Sequence, residues 1–173
     1  MNVIGLCGYS GAGKTTLVER LIPILRLAGH RVSVVKHAHH AFDIDHEGKD
    51  SWRHRQAGAF EIVIASDRRL AKMREYPVTR EPTVDDLLAE LSPCDWVLVE
   101  GFKHAPLAKI EVWRAANGKR AQYVDDPYVM AIATDSRGEL PLPTALPVFD
   151  LDDVESIAAF IQSQGRRCEY SRP

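Results

Sequence analysis

No apolar run in this sequence approaches the roughly 20 residues needed to span a bilayer as a helix. The first apolar stretch, residues 3–7, is too short for a signal-peptide core. Cysteine is scarce: Cys7, Cys94 and Cys168 stand far apart with no CxxC spacing, which indicates neither a disulfide framework nor a thiolate zinc site. Excess charge is lacking too. The formal net charge of −2 argues against a general nucleic-acid binder, which would normally be basic. There is no internal repeat and no low-complexity segment. What remains is an ordinary globular composition, 45% hydrophobic and 27% charged, over 173 residues, the length of one domain. The expectation is a single cytoplasmic domain over residues 1–173, its thiols reduced, with neither membrane nor nucleic acid as a partner.

Along the chain, apolar runs of strand length alternate with helical periodicity. Residues 3–7 are apolar throughout, the pattern of a strand buried on both faces. From 14 to 28, Leu17, Leu21, Ile24, Leu25 and Ala28 recur at helical spacing and Gly29 supplies the stop. Pro23 should bend that helix locally. Strands are expected at 31–36, 60–65, 96–99, 129–133 and 147–149, with a helix at 83–91 ahead of 96–99. A last helix is expected to open on a capping-box pair, Asp152 and Glu155. This order predicts an α/β fold: three layers around a mostly parallel sheet. Lys109-Ile110-Glu111-Val112-Trp113-Arg114 alternates charged and apolar residues, and Asn117-Gly118 is a turn signal. It reads as a half-exposed strand in an antiparallel extension outside the parallel core. Residues 69–76 fit a strand or a short helix.

The chemistry concentrates at Gly8-Tyr9-Ser10-Gly11-Ala12-Gly13-Lys14-Thr15, a full match to G-x-x-x-x-G-K-[ST] between a buried strand and an amphipathic helix. Glycines let the backbone curl so that N–H groups converge on phosphate oxygens. Lys14 brings a charge for the β- and γ-phosphates, Thr15 a hydroxyl for Mg²⁺, and the helix N-terminus a partial positive charge. Ser10, Gly11, Ala12, Gly13, Lys14, Thr15 and Thr16 form the expected nucleotide-binding set of a P-loop, or Walker A, protein. Trp96-Val97-Leu98-Val99-Glu100-Gly101 ends a buried strand in an acid, on the ligand side of an open α/β sheet. Glu100 is expected to hold Mg²⁺ directly or through water.

Further segments carry a resemblance. Residues 8–16, Val35-Lys36-His37, Asp43-Ile44-Asp45 with Gly48-Lys49-Asp50-Ser51, Arg53-His54-Arg55 with Ala57-Gly58-Ala59, Val99-Glu100-Gly101-Phe102-Lys103 and Lys109-Ile110-Glu111 together resemble the MobB family, over about residues 1–135 and loosely beyond. The stretch 48–59 with 99–103 is the selective part. The resemblance implies a GTP-binding adapter in molybdopterin guanine dinucleotide biosynthesis. It implies feeble intrinsic GTPase activity and a homodimer formed through extended strands. It further implies a role beside MobA, which joins GMP to the molybdenum-loaded pterin, and a meeting with the molybdenum-inserting protein MoeA. Dethiobiotin synthetase, a wider relative, also places Glu-Gly after the corresponding strand, in keeping with a metal-linked Glu100.

Outside the loop, Asp43 and Asp45 are candidates for the metal shell or for orienting a water. The histidines of His37-Ala38-His39-His40-Ala41-Phe42-Asp43-Ile44-Asp45-His46 invite a metal site without thiolate partners or a fixed spacing. Asp50, Arg53, His54 and Arg55 fit a short helix, either one whose basic side meets an anionic ligand such as a pterin phosphate or a solvated charged helix. Asp135, after Ala133-Thr134, is the candidate reader of guanine, although no N-K-x-D motif is present. Trp52, Trp96 and Trp113 are expected in the core or an interface. Two other classes stay open on the same scaffold. One is a small-molecule kinase or ATP-dependent ligase, for which only Arg68-Arg69 and Arg114 are loose lid candidates. The other is a nickel-delivery GTPase, which the histidines favour and the missing cysteine ligands oppose. Residues 109–114 would expose a strand edge, to be covered by a second copy or by the chain's own residues 69–76.

Overall fold

The computed structural model describes residues 1–38 and 42–171. They divide into two compact units, residues 1–37 with 84–171 and residues 38–83.

The first unit is built on six strands: β1 (Asn2–Cys7), β2 (Val32–Lys36), β5 (Trp96–Glu100), β6 (Lys109–Trp113), β7 (Val129–Thr134) and β8 (Val148–Asp150). They lie in the order β2-β5-β1-β6-β7-β8, and each neighbouring pair is parallel. Alternation along β1 sends Ile4 and Leu6 to one face, where α1 (Lys14–Leu27) and α4 (Val154–Ser163) bring Leu17, Leu21, Leu25, Ile157 and Ile161. Val3 packs on the other face with Val35, Val97 and Val99 under Val84 and Leu88 of α3 (Val84–Ala89). Helix α1 runs through Pro23. It closes with the His30 N–H on the Leu25 carbonyl and the Gly29 N–H on the Arg26 carbonyl, a Schellman stop. A short α5 (Gly165–Cys168) returns the chain to β1.

Two expectations are corrected here. Residues 109–113 are a central strand, parallel to β1 and β7 and buried along their whole length, with no half-exposed edge. Their charges are covered by loops. The Lys109 ammonium donates to the Lys103 and Ala105 carbonyls and to Asp126 Oδ2 at 2.8, 2.9 and 2.5 Å. Glu111 accepts the backbone N–H groups of Gln122 and Tyr123, each at 2.7 Å. Gly5 leaves room for this strand, since a Cβ there would lie 2.7 Å from Lys109 Cγ. The cap of α4 also moves by one residue. Asp153 accepts from the Ser156 N–H, while Asp152 pairs with Arg20 at 2.9 Å.

The second unit holds the antiparallel piece. Helix α2 (Asp50–Gln56) precedes a hairpin of β3 (Glu61–Ala65) and β4 (Leu70–Arg74). The run at 60–65 therefore pairs with 70–74 outside the parallel sheet, and the strand alternative holds for the latter. Ser66 organises the turn: its N–H donates to the Arg69 carbonyl, and its Oγ accepts the N–H groups of Arg68 and Arg69. Glu61 ties the strands through Arg74 at 2.7 Å and Lys72 at 3.4 Å.

Candidate functional site

Strand β1 delivers the glycine loop to the C-terminal edge of the sheet, and α1 carries it away. Gly8 passes so close to β6 that a Cβ would fall 2.2 Å from the Val112 carbonyl oxygen, at a φ of +133°. No other residue type fits that position without moving a strand. Lys14 turns back along the loop, its Nζ donating to the carbonyls of Gly8 and Tyr9, both at 2.9 Å. Burial lowers its pKa from the ordinary lysine value, and Glu100 opposes that shift. Ser10, Gly11, Thr15 and Thr16 are exposed, whereas Ala12 is buried beneath the loop.

Pairing of β2, β5 and β1 sets Lys36, Glu100 and Leu6 level with one another. That register puts Glu100 beside the start of α1, where the Thr15 hydroxyl donates to Glu100 Oε1 at 2.7 Å. Lys36 Nζ stands 3.6 Å from Glu100 Oε2. The chain then turns sharply. A Cβ on Gly101 (φ +99°) would meet His37 Cβ at 2.8 Å, and Phe102 takes a φ of +48°, rare outside glycine. The Phe102 ring rests 4.8 Å from His37, so strained backbone sits directly beside the Thr15–Glu100 pair.

Beyond β6, Arg114 underlies the loop. Its Nε–H donates to the Ala12 carbonyl at 3.0 Å, and its Nη1 meets Asp135 Oδ2 at 2.7 Å. Ser136 Oγ–H donates to Asp135 Oδ1 at 2.7 Å, so both oxygens of the expected base reader have protein partners. Composition and spacing point to the loop and Glu100 but not to Lys36 or to Arg114 as a brace. The sequence offers Arg114 only as a loose lid candidate at the end of a strand, whereas the structure places it under the loop.

The acids of residues 43–45 belong to the second unit. Arg55 donates from Nη2 to Asp43 Oδ2 at 2.6 Å, from Nε to Asp45 Oδ2 at 3.2 Å and from Nη1 to Glu75 Oε1 at 3.0 Å. Ser51 Oγ–H donates to Asp45 Oδ1 at 2.7 Å. The hydrogen bond from Arg55 holds Asp43 below the usual aspartate pKa, and the bond from Ser51 does so for Asp45. Arg53 meets Asp50 at 3.9 Å. His39 and His40 lie outside the described residues, and among those described no three His, Cys, Asp or Glu side chains gather as a metal site. Trp96 and Trp113 are core residues, and Trp113 Nε1–H donates to the Lys119 carbonyl. No helix among the described residues is long and apolar enough to cross a membrane.

Fold and loop together define an α/β protein whose first strand and first helix are joined by a G-x-x-x-x-G-K-T loop, with an acid from the adjacent strand against its threonine. Residues 3–135 match the family model described as "Molybdopterin guanine dinucleotide synthesis protein B". The chain is similar to a molybdopterin-guanine dinucleotide biosynthesis adapter protein from Haemophilus influenzae, at 43% identity over 93% of this chain and 88% of the relative. It is similar to one of the same description from Escherichia coli at 40% identity, over 92% and 90%. The crystal structure of a MobB protein homolog from Bacillus stearothermophilus matches with a TM-score of 0.73 at 28% identity, over 96% of this chain and 99% of that one. This chain belongs to the MobB family.

Proposed function

We propose that this protein is a GTP-binding adapter that assists the guanylation of a molybdenum-loaded pterin, acting beside a MobA-type guanylyltransferase and meeting a MoeA-type insertase in the cytoplasm. The observation that carries the nucleotide part is the Thr15–Glu100 pair at the foot of a complete G-x-x-x-x-G-K-T loop. The adapter part is supported by the names of the relatives, which describe such proteins.

The donor set fits a hard cation: an alcohol oxygen and a carboxylate oxygen lie 2.7 Å apart at the mouth of the loop. Thr15 and Glu100 would hold Mg²⁺, which supplies charge neutralisation on phosphate oxygens when bound. We assign the cation to the Thr15–Glu100 pair at the glycine loop; Asp43 and Asp45 meet Arg55 and Ser51 in the other unit. Lys14 exchanges its two loop carbonyls for β- and γ-phosphate oxygens, and the N-terminus of α1 adds its partial positive charge. Arg114 keeps the loop curled by holding the Ala12 carbonyl. Asp135 serves as the guanine reader, with Arg114 and Ser136 fixing its orientation. The machinery described binds; weak intrinsic GTPase activity is part of the same proposal.

We further infer a homodimer through the 61–74 hairpin. Phe60, Val63, Ile64 and Leu70 are exposed there, and a two-stranded ribbon is marginal by itself. That hairpin replaces residues 109–114 as the support for self-association. The test of the whole reading is the rate of guanylation of molybdenum-loaded pterin by the transferase with and without this protein. Because GTP is also the donor of the GMP group, the decisive arm is Lys14→Ala: a rise that this variant loses supports the adapter, and an unchanged rate with the unmutated protein refutes it.

A further inference from the structure

On the side of the sheet covered by the loops after β5 and β6 lies a cleft of about 340 Å³. Tyr9 from the glycine loop, Lys103, His104, Arg120, Gln122 and Tyr128 line it. Buried charge builds its floor. Lys109, 1% exposed, spends its three N–H donors on the Lys103 and Ala105 carbonyls of one wall and on Asp126 of the other. Asp126 Oδ1 in turn accepts the Tyr128 N–H at 2.9 Å. One ammonium thus fixes both walls, a costly arrangement unless the spacing between them matters.

The charge balance over this floor favours an anion. Asp126 answers Lys109, and Asp125 pairs with Arg120 at 2.8 Å on the surface. Lys103 meets no carboxylate among the described residues; its Nζ stands 5.8 Å from the centre of the Tyr9 ring. Tyr128 offers a second ring, 5.6 Å from Lys109 Nζ. Two aromatic faces, an unbalanced ammonium and a neighbouring guanidinium suit a flat, electron-poor ring that carries negative charge.

We propose that this cleft is a second ligand site, for a planar heteroaromatic ring bearing a phosphate monoester. The ring and phosphate could belong to the nucleotide itself or to a separate molecule, and placement favours the separate molecule. The cleft runs from Tyr9 of the glycine loop to Tyr128 at the start of β7, whereas Asp135 lies past the end of β7; at about 3.3 Å per residue, roughly 20 Å of strand divides Tyr128 from Asp135. A nucleotide anchored by Lys14 with its base toward Asp135 leaves the cleft open. The choice of a pterin as the ring rests on the adapter reading; the site itself does not.

The probe is 6-hydroxymethylpterin monophosphate, titrated into the full chain by its own fluorescence, with unphosphorylated 6-hydroxymethylpterin and GMP as separate arms. We expect saturable binding of the ester, at least ten-fold weaker binding of the unphosphorylated pterin, and no displacement of the ester by saturating GTP with Mg²⁺. Lys103→Ala should weaken the ester at least ten-fold and Tyr128→Ala several-fold, with circular dichroism confirming that both fold. In Lys14→Ala the ester should bind within two-fold of the unmutated chain. Ester binding that GTP displaces, or that Lys14→Ala abolishes, places the ring at the nucleotide site and overturns the proposal, as does preferential capture of GMP in the cleft or no ester binding at all. Ester binding in a chain that fails to bind GTP would leave the cleft standing and remove the nucleotide reading instead.

Discussion

The two units of this chain handle polar and apolar groups in opposite ways. In the parallel-sheet unit even charges go inside: Lys109 and Glu111 are 1% and 0% exposed, and each has its hydrogen-bonding capacity met by loop backbone and Asp126. In the 38–83 unit no described residue reaches the buried core, although Phe60, Val63, Ile64 and Leu70 are large and apolar. One region has enough layers to enclose its charges. The other, with one short helix and one hairpin, cannot enclose even its hydrophobic side chains. Its ion pairs at Glu61 are surface devices, which contribute little each, whereas Arg55 and Asp45, with side chains 14% and 6% exposed, form a shielded pair. The first unit specifies its own structure; the second presents surface for something else to cover.

The largest expected effect tests the enclosed charges. Lys109→Met keeps the stem over Gly5 but strands Asp126 and two carbonyls, and removing one partner of a buried pair typically costs about 3–5 kcal/mol. Denaturant unfolding of the mutant should show a loss in that range. A loss under about 1 kcal/mol would mean the floor of the cleft is wet and the contrast between the units is overdrawn. Next is Lys14→Ala, which removes a charge from the loop without touching the core. Losing a charge-assisted phosphate contact should lower GTP affinity by about ten- to a hundred-fold, and calorimetry showing unchanged affinity would end the nucleotide proposal. Asp135→Ala should then erase most of any preference for GTP over ATP. Equal affinities in the unmutated chain would remove Asp135 from base reading.

How much of this was legible in the sequence follows the same division. The glycine loop, Glu100 and the helix after the loop are local patterns, and each stands where its spacing puts it. Strand β6 misleads because its alternation is real while the groups that cover the charged face arrive from the loops 103–105 and 122–126. A charged face looks solvated unless those partners are known. Residues 60–65 mislead the other way: a β-branched apolar run reads as core, yet it pairs across a four-residue turn into an exposed ribbon. Asp153 rather than Asp152 caps α4, a one-residue ambiguity that Arg20 decides by holding Asp152 from another helix. The engagement of Asp135 by Arg114 spans two strand ends and leaves no local trace.

The exposed ribbon supplies the next test of the comparison. Leu70→Lys places a charge on a side chain that is 68% exposed in the single chain and stands opposite Ala65, so folding of one copy should be nearly unaffected. If copies pair through this hairpin, the same change buries an uncompensated ammonium at their junction. Sedimentation should show a dimer for the unmutated protein and a shift toward monomer for the mutant. Identical sedimentation of a dimeric pair would move the interface away from the hairpin, and a monomer in both cases would refute the dimer.

Mild acid should separate the two units by sign, with the smallest amplitude of these effects. Burial raises the Glu111 pKa above the ordinary glutamate value, against the two backbone N–H groups that lower it. Its contribution to stability is therefore full below the unfolded-state value and is lost as pH rises through the folded one. Asp43 and Asp45 behave oppositely. Hydrogen bonds from Arg55 and Ser51 depress them, so their contribution is present above the ordinary aspartate value and disappears as pH falls through the lower folded value. Lowering the pH from neutral toward the ordinary carboxylate range should first relieve the charge beneath the cleft, leaving amide exchange in β6 as slow or slower. Below the ordinary aspartate range, the Arg55 cluster should release and exchange should quicken in residues 42–56 before it does in the sheet. Carboxyl chemical shifts followed by NMR would assign the groups directly. If Glu111 titrated below the two aspartates, or exchange in β6 accelerated first, the division between a self-sufficient unit and a surface-held one would be wrong.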